Sequence, residues 1–114
     1  MSRITTHILD VSRGRPAAGV AVTLEAQTEA GDWRTLGRGR TDADGRLKSL
    51  TGEGASLNEG VYRLTFATGD YFASLGVETF YPHAVVVFRV RDAAEHYHVP
   101  LLVSPFGYST YRGS

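Results

Sequence analysis

Cysteine is absent from this 114-residue chain, which removes disulfides, thiolate nucleophiles, iron–sulfur clusters and cysteine-type zinc sites together. Neither charge sign is in surplus, since 12 acidic residues stand against 12 basic ones, so no overall field selects nucleic acid or an anionic membrane. Nowhere do about 18 apolar residues follow one another, and the opening Met1-Ser2-Arg3-Ile4-Thr5 lacks the apolar stretch of an export signal. The expectation is a soluble, cytoplasmic protein that engages neither membranes nor nucleic acids. Repeats, low-complexity tracts and linkers are missing as well, and the length is about that of one domain, residues 1–114.

What is present is period-two alternation, the mark of strands with one buried face. Val20, Val22, Leu24 and Ala26 alternate with polar Thr23, Glu25 and Gln27; Tyr62, Leu64 and Phe66 with Arg63 and Thr65; and Val86, Phe88 and Val90 lead to Arg89 and Arg91 on the other side. Turn residues separate the runs at Arg13-Gly14-Arg15-Pro16, Ala30-Gly31-Asp32, Asp42-Ala43-Asp44-Gly45, Asn58-Glu59-Gly60 and Tyr81-Pro82. This spacing predicts an all-β sandwich. Thr68 to Gly76 alone reads as a short helix, with Asp70 as a cap and Gly76 as its stop.

The same parity locates the unusual polar residues. With Ile4 and Ile8 inward, Arg3, Thr5, His7 and Leu9 point outward; with Tyr97, Val99, Leu101 and Val103 inward, His96, His98, Pro100 and Leu102 point outward. A face mixing histidine with Leu, Pro and Thr, where a solvated strand would carry Lys and Glu, suits a subunit interface or a shallow site. Each residue also has a plain reading. His7 and His98 could be surface histidines, or join His96 around a metal, although no His-Glu-x-x-His pattern is present. Arg46 could be a solvated partner of Asp42 or Asp44, or a guanidinium holding a carbonyl or ureide oxygen, a role for which Arg38 and Arg40 compete. Arg34, Arg38, Arg40 and Arg46 could equally form a basic strand edge, and Trp33 reads as a core or hairpin aromatic. No Gly-x-Ser-x-Gly elbow supports Ser114 as a nucleophile. The apolar approach from Pro100 to Thr110 predicts that the tail Tyr111-Arg112-Gly113-Ser114 docks rather than frays.

Six stretches in order and the tail carry a resemblance: Thr6-His7-Ile8-Leu9-Asp10 with Gly14-Arg15-Pro16-Ala17, Thr41-Asp42-Ala43-Asp44-Gly45-Arg46, Gly69-Asp70-Tyr71-Phe72, Phe80-Tyr81-Pro82, His96-Tyr97-His98-Val99-Pro100-Leu101-Leu102, and Tyr108-Ser109-Thr110-Tyr111-Arg112-Gly113-Ser114. Together they resemble the 5-hydroxyisourate hydrolases, the transthyretin-related enzymes of urate breakdown, over essentially the whole chain. The resemblance implies a transthyretin-like (prealbumin-like) sandwich of two four-stranded sheets with one short helix, assembled as a homotetramer, a dimer of dimers. It implies hydrolysis of 5-hydroxyisourate to 2-oxo-4-hydroxy-4-carboxy-5-ureidoimidazoline without cofactor or metal. It also implies His7, Arg46 and His98 as catalytic residues, with His7, Arg46, Tyr111 and Ser114 binding substrate. The alternative is a transthyretin-like carrier of small hydrophobic ligands without catalysis, because one fold hosts both.

Overall fold

The computed structural model describes residues 3–51 and 57–114. Its elements in chain order are β1 (Ile4–Asp10), β2 (Arg15–Pro16), β3 (Ala21–Gln27), β4 (Trp33–Arg40), β5 (Arg46–Leu47), β6 (Gly60–Phe66), α1 (Thr68–Ser74), β7 (Ala84–Val90), β8 (Tyr97–Ser104) and β9 (Gly107–Thr110). The alternation expected of β3, β6, β7 and β8 is present, because each turns one row of apolar side chains into a shared core.

Two sheets face each other. One has the order β4-β3-β6-β7, antiparallel throughout. The other runs β2-β1-β8-β9, with β5 also on β1. Since β8 pairs in parallel along the whole length of β1 (Ile4↔Tyr97 to Asp10↔Val103), the two-residue strands β2 and β5 stand end to end on the opposite edge, which leaves four strand positions per sheet. Between the sheets lie Ile4, Ile8, Val22, Leu24, Leu64, Phe66, Val90 and Leu101, all at most 1 % exposed. Burial of each such side chain stabilises the fold by about 1.5–3 kcal/mol, and together they hold β1 and β8 in the one register that the outer face inherits.

One expectation about these elements needs correction. Asp70 does not cap α1: Ala67 occupies the cap position without a side-chain hydrogen bond, and Asp70 sits within the first turn, where its charge meets the positive end of the helix dipole. Gly76 does follow the helix end, in the left-handed region at φ 72°. Pro100 points outward as parity requires but is buried, because the tail of the same chain lies over it: Thr110 Oγ1 donates to Pro100 O (2.7 Å). Trp33 is a hairpin aromatic, with the Arg63 guanidinium 4.2 Å above its ring, and Arg34, Arg38 and Arg40 lie on the edge strand β4. Among the described residues no helix is long and apolar enough to cross a membrane.

Candidate functional site

Alternation fixes which side chains leave the core, and strand pairing fixes which of them meet. On β1, Thr5 and His7 share the outer face; the parallel register sets Thr5 beside His98 and His7 beside Pro100 on β8. On the other edge of β1, the antiparallel pairing of β5 sets Arg46 opposite His7. That pairing depends on a tight turn. Asp42 Oδ1 accepts from the backbone N–H of Asp44 (2.9 Å) and of Arg46 (3.0 Å), and Gly45 takes φ 74° while its carbonyl accepts from Ile8 N (2.8 Å). A side chain at position 45 would begin 2.5 Å from Ile8 O, so only glycine lets this turn close against β1. The hydrogen bond to Arg46 N–H is also the leading reason the Asp42 carboxyl titrates below its usual value of 3.8.

The tail completes the third side. After β9 the chain keeps the same register along β8, from Leu101↔Thr110 to an isolated bridge His98↔Gly113, where Gly113 N donates to His98 O (2.8 Å). Arg112 is tied down by its guanidinium lying 4.4 Å over the Tyr97 ring and by a 3.4 Å ion pair with Glu95. The tail is docked, as its sequence predicts, and its last residue reaches the histidine face.

The result is an open cavity of about 210 Å³ lined by Thr5, Thr6, Arg46, Lys48, His96, His98 and Ser114. Arg46, His98 and Ser114 therefore meet at one place, and His7 flanks it as the cross-strand neighbour of Arg46. Tyr111 does not join them within the chain: it is 58 % exposed and lines a separate cavity of about 380 Å³ with Val86, Phe88, Tyr97 and Val99. Neither Arg38 nor Arg40 reaches the cavity. Arg46 and Lys48 are exposed, line the cavity and have no ion-pair partner among the described residues. Thr5 and Lys48 belong to the site although parity had marked only the first as outward; Lys48 lies two residues beyond Arg46, just past β5, and lines the same cavity. Among the described residues no group of three or more His, Cys, Asp and Glu side chains is placed to hold a metal ion.

Electrostatics push one way. The His98 imidazole titrates below its ordinary value of 6.5, first because its partial burial disfavours the charged ring, then because His96, Arg46 and His7 add positive charge around it. Its Nδ1 lies 2.8 Å from Thr5 Oγ1, which lies 3.0 Å from His96 Nε2. An imidazole whose charged form is disfavoured, beside a guanidinium lining the same small cleft, can accept a proton from water while the arginine holds an oxyanion.

Relatives share this frame. Residues 4–113 match the family described as HIUase/Transthyretin. The 5-hydroxyisourate hydrolase of Caulobacter vibrioides is 50 % identical over 119 residues, covering 100 % of both chains, and that of Salmonella typhimurium is 50 % identical over 111 residues, covering 97 % of this chain and 80 % of its own. Among solved structures, Klebsiella pneumoniae 5-hydroxyisourate hydrolase superposes with a TM-score of 0.84 at 42 % identity, over 97 % of this chain and 98 % of its own. Transthyretin from Sparus aurata superposes with 0.92 at 35 % identity, over 99 % and 97 %. On both the family match and full-length identity, this chain belongs to the HIUase/Transthyretin family.

Proposed function

We propose that the protein hydrolyses 5-hydroxyisourate, opening its ring at the cyclic amide bond to give 2-oxo-4-hydroxy-4-carboxy-5-ureidoimidazoline in urate degradation. The observation that carries this reading is the meeting of His98, whose surroundings disfavour its charged form, with Arg46 in one cleft, on a chain half identical to named hydrolases over its full length. His98 takes a proton from water, whose oxygen bonds to the ring carbonyl carbon. Arg46 stabilises the resulting oxyanion. Collapse breaks the carbon–nitrogen bond, and the proton passes to the leaving nitrogen from the His98 imidazolium or from His7. Ser114, at the end of the docked tail, lines the same cleft and contacts the substrate there. No cofactor enters this scheme.

Tyr111 is the exception, because its own chain turns it to another cavity. It contacts substrate when a neighbouring copy presents it, which ties the complete site to assembly. Assembly as a tetramer, a dimer of dimers, is supported by the unpaired edges of β7 and β9 and by exposed Val85, Val87, Tyr108 and Phe106 near them. The expected compartment is the cytoplasm, which fractionation of native cells checks.

The closer superposition on a transthyretin than on a hydrolase favours a second reading, a carrier of small hydrophobic ligands. Fold similarity does not separate the two; chemistry does. The test is the decay of ultraviolet absorbance of 5-hydroxyisourate generated in place from urate and urate oxidase, run beside titration with a hydrophobic hormone analogue. Acceleration over spontaneous decay is expected. Saturable hormone binding with no acceleration would replace the hydrolase by the carrier.

A further inference from the structure

Thr5 occupies an unusual position for a threonine. Its side chain is only 4 % exposed, yet it sits between two imidazoles, with Oγ1 2.8 Å from His98 Nδ1 and 3.0 Å from His96 Nε2. The two rings lie nearly parallel, 15° apart with centroids at 6.4 Å. A hydroxyl has one proton to donate, so it can serve as donor to only one of the two nitrogens and meets the other as acceptor. The polarity of this three-member chain therefore decides which nitrogen of His98 carries hydrogen.

The His98 ring is also held from the other side. A methyl group added at Gly113 would stand 2.6 Å from His98 Cδ2, so the tail backbone lies directly against that ring edge. With Nδ1 engaged by Thr5 and Cδ2 backed by Gly113, Nε2 is the ring nitrogen left for the cavity. Two cations, Arg46 and Lys48, line the same cavity. An N–H dipole directed toward them is repelled, and a lone pair is attracted. His96, by contrast, is exposed, so water satisfies its Nδ1 in either tautomer.

We propose that Thr5 is a positioning residue that sets the tautomer of His98: His98 Nδ1–H donates to Thr5 Oγ1, the Thr5 proton goes to His96 Nε2, and the His98 Nε2 lone pair faces the substrate. The use of that lone pair as a base rests on the hydrolase reading; the tautomer itself is a property of the free protein. When Nε2 takes a proton from water, the Nδ1–H bond to Thr5 persists and holds the imidazolium in place, so the same contact serves before and after proton transfer.

Long-range nitrogen-15 spectra of the histidine rings, recorded on the wild type, Thr5→Val and Thr5→Ser, test this together with their kinetics. The wild-type His98 is expected to show hydrogen on Nδ1 and none on Nε2. Thr5→Val, close in shape but without the hydroxyl, should shift His98 toward a tautomer mixture and lower kcat about tenfold or more with KM within about twofold, the scale seen when a residue orienting a functional imidazole is removed. Thr5→Ser should restore both. Hydrogen on Nε2 of wild-type His98 would overturn the proposal, as would a Thr5→Val protein with unchanged spectrum and kcat. Should Thr5→Val fail to fold, the wild-type and Thr5→Ser spectra still decide. A wild type that hydrolyses nothing would sink the hydrolase reading while leaving the tautomer assignment to stand or fall on its spectrum.

Discussion

Strand β1 carries a polar cluster at each end, and the two are built to opposite specifications. At its C-terminal end Asp10 is fully buried with both carboxylate oxygens occupied: Oδ1 accepts from Ser12 N (3.0 Å), Ser12 Oγ (2.5 Å) and Arg13 N (3.3 Å), and Oδ2 from the Tyr71 hydroxyl (2.9 Å). Arg13 donates in turn to the Tyr71 oxygen, and burial together with Asp10 raises the Tyr71 pKa above its ordinary 10.0. Toward the other end, Thr5 and His7 belong to a group in which Arg46, Lys48 and one nitrogen of His98 face an open cleft. A network whose capacity is spent inside the protein stabilises: here it ties α1 to β1. A cluster of charges that converges on space and leaves capacity unspent is fitted to a ligand.

The contrast makes predictions that should separate cleanly. Arg46→Gln should lower kcat/KM about 10²–10³-fold, the effect of removing a principal oxyanion donor, and leave the unfolding midpoint nearly unchanged because the exposed guanidinium makes no ion pair among the described residues and acts on Asp42 only as a nearby surface charge. Steady-state kinetics beside urea unfolding check it; a large loss of stability would mean that Arg46 is structural after all. Asp10→Ala should do the reverse, costing about 3 kcal/mol of stability by stripping an acceptor from four donors, with kcat of the folded fraction within about twofold of wild type. Measured by chemical denaturation, a loss below about 1 kcal/mol would show that water replaces the carboxylate and that the network is not a tie.

The smallest effect concerns pH. Because the folded pKa of His98 lies below its unfolded value of 6.5, the unfolded chain binds more protons as pH falls through 6.5, so this residue's contribution to stability is full above that pH and declines below it, down to the folded pKa. In kinetics the same shift should place the acid limb of kcat/KM below 6.5. An acid limb above 6.5 would point to a different base.

How much of this could be read from residues alone follows from what each strand buries. Strands β3, β6, β7 and β8 announce themselves because each turns one row into the core. Strand β4 does not: Arg34, Arg38 and Arg40 are exposed on a sheet edge, and its half-buried Leu36, Gly37 and Gly39 form no apolar alternation. Strands β2 and β5 are two residues long and exist only as partners of β1. In the site, parity correctly turned His7 and His98 outward but left Arg46 level with Arg38 and Arg40; the resemblance preferred Arg46, and the pairing His7↔Arg46 gives the physical reason, a long-range register that no local pattern encodes. The role of Thr5 was hidden for the same reason, since its partners are 91 and 93 residues away. Tyr111 and Ser114 looked like one unit in the tail, yet residues three apart in an extended segment need not share a face, and here they line different cavities.

The most direct test of the account is to compare the rate of 5-hydroxyisourate decay with wild type and with His98→Asn at equal folded concentration, with unfolding midpoints measured on the same samples. The account predicts that the wild type accelerates decay, that the variant loses about 10²–10⁴-fold of that acceleration, and that their stabilities are closely similar. A His98→Asn protein that turns over like the wild type would contradict the claim that the open cluster on β1 and β8 is where the chemistry occurs.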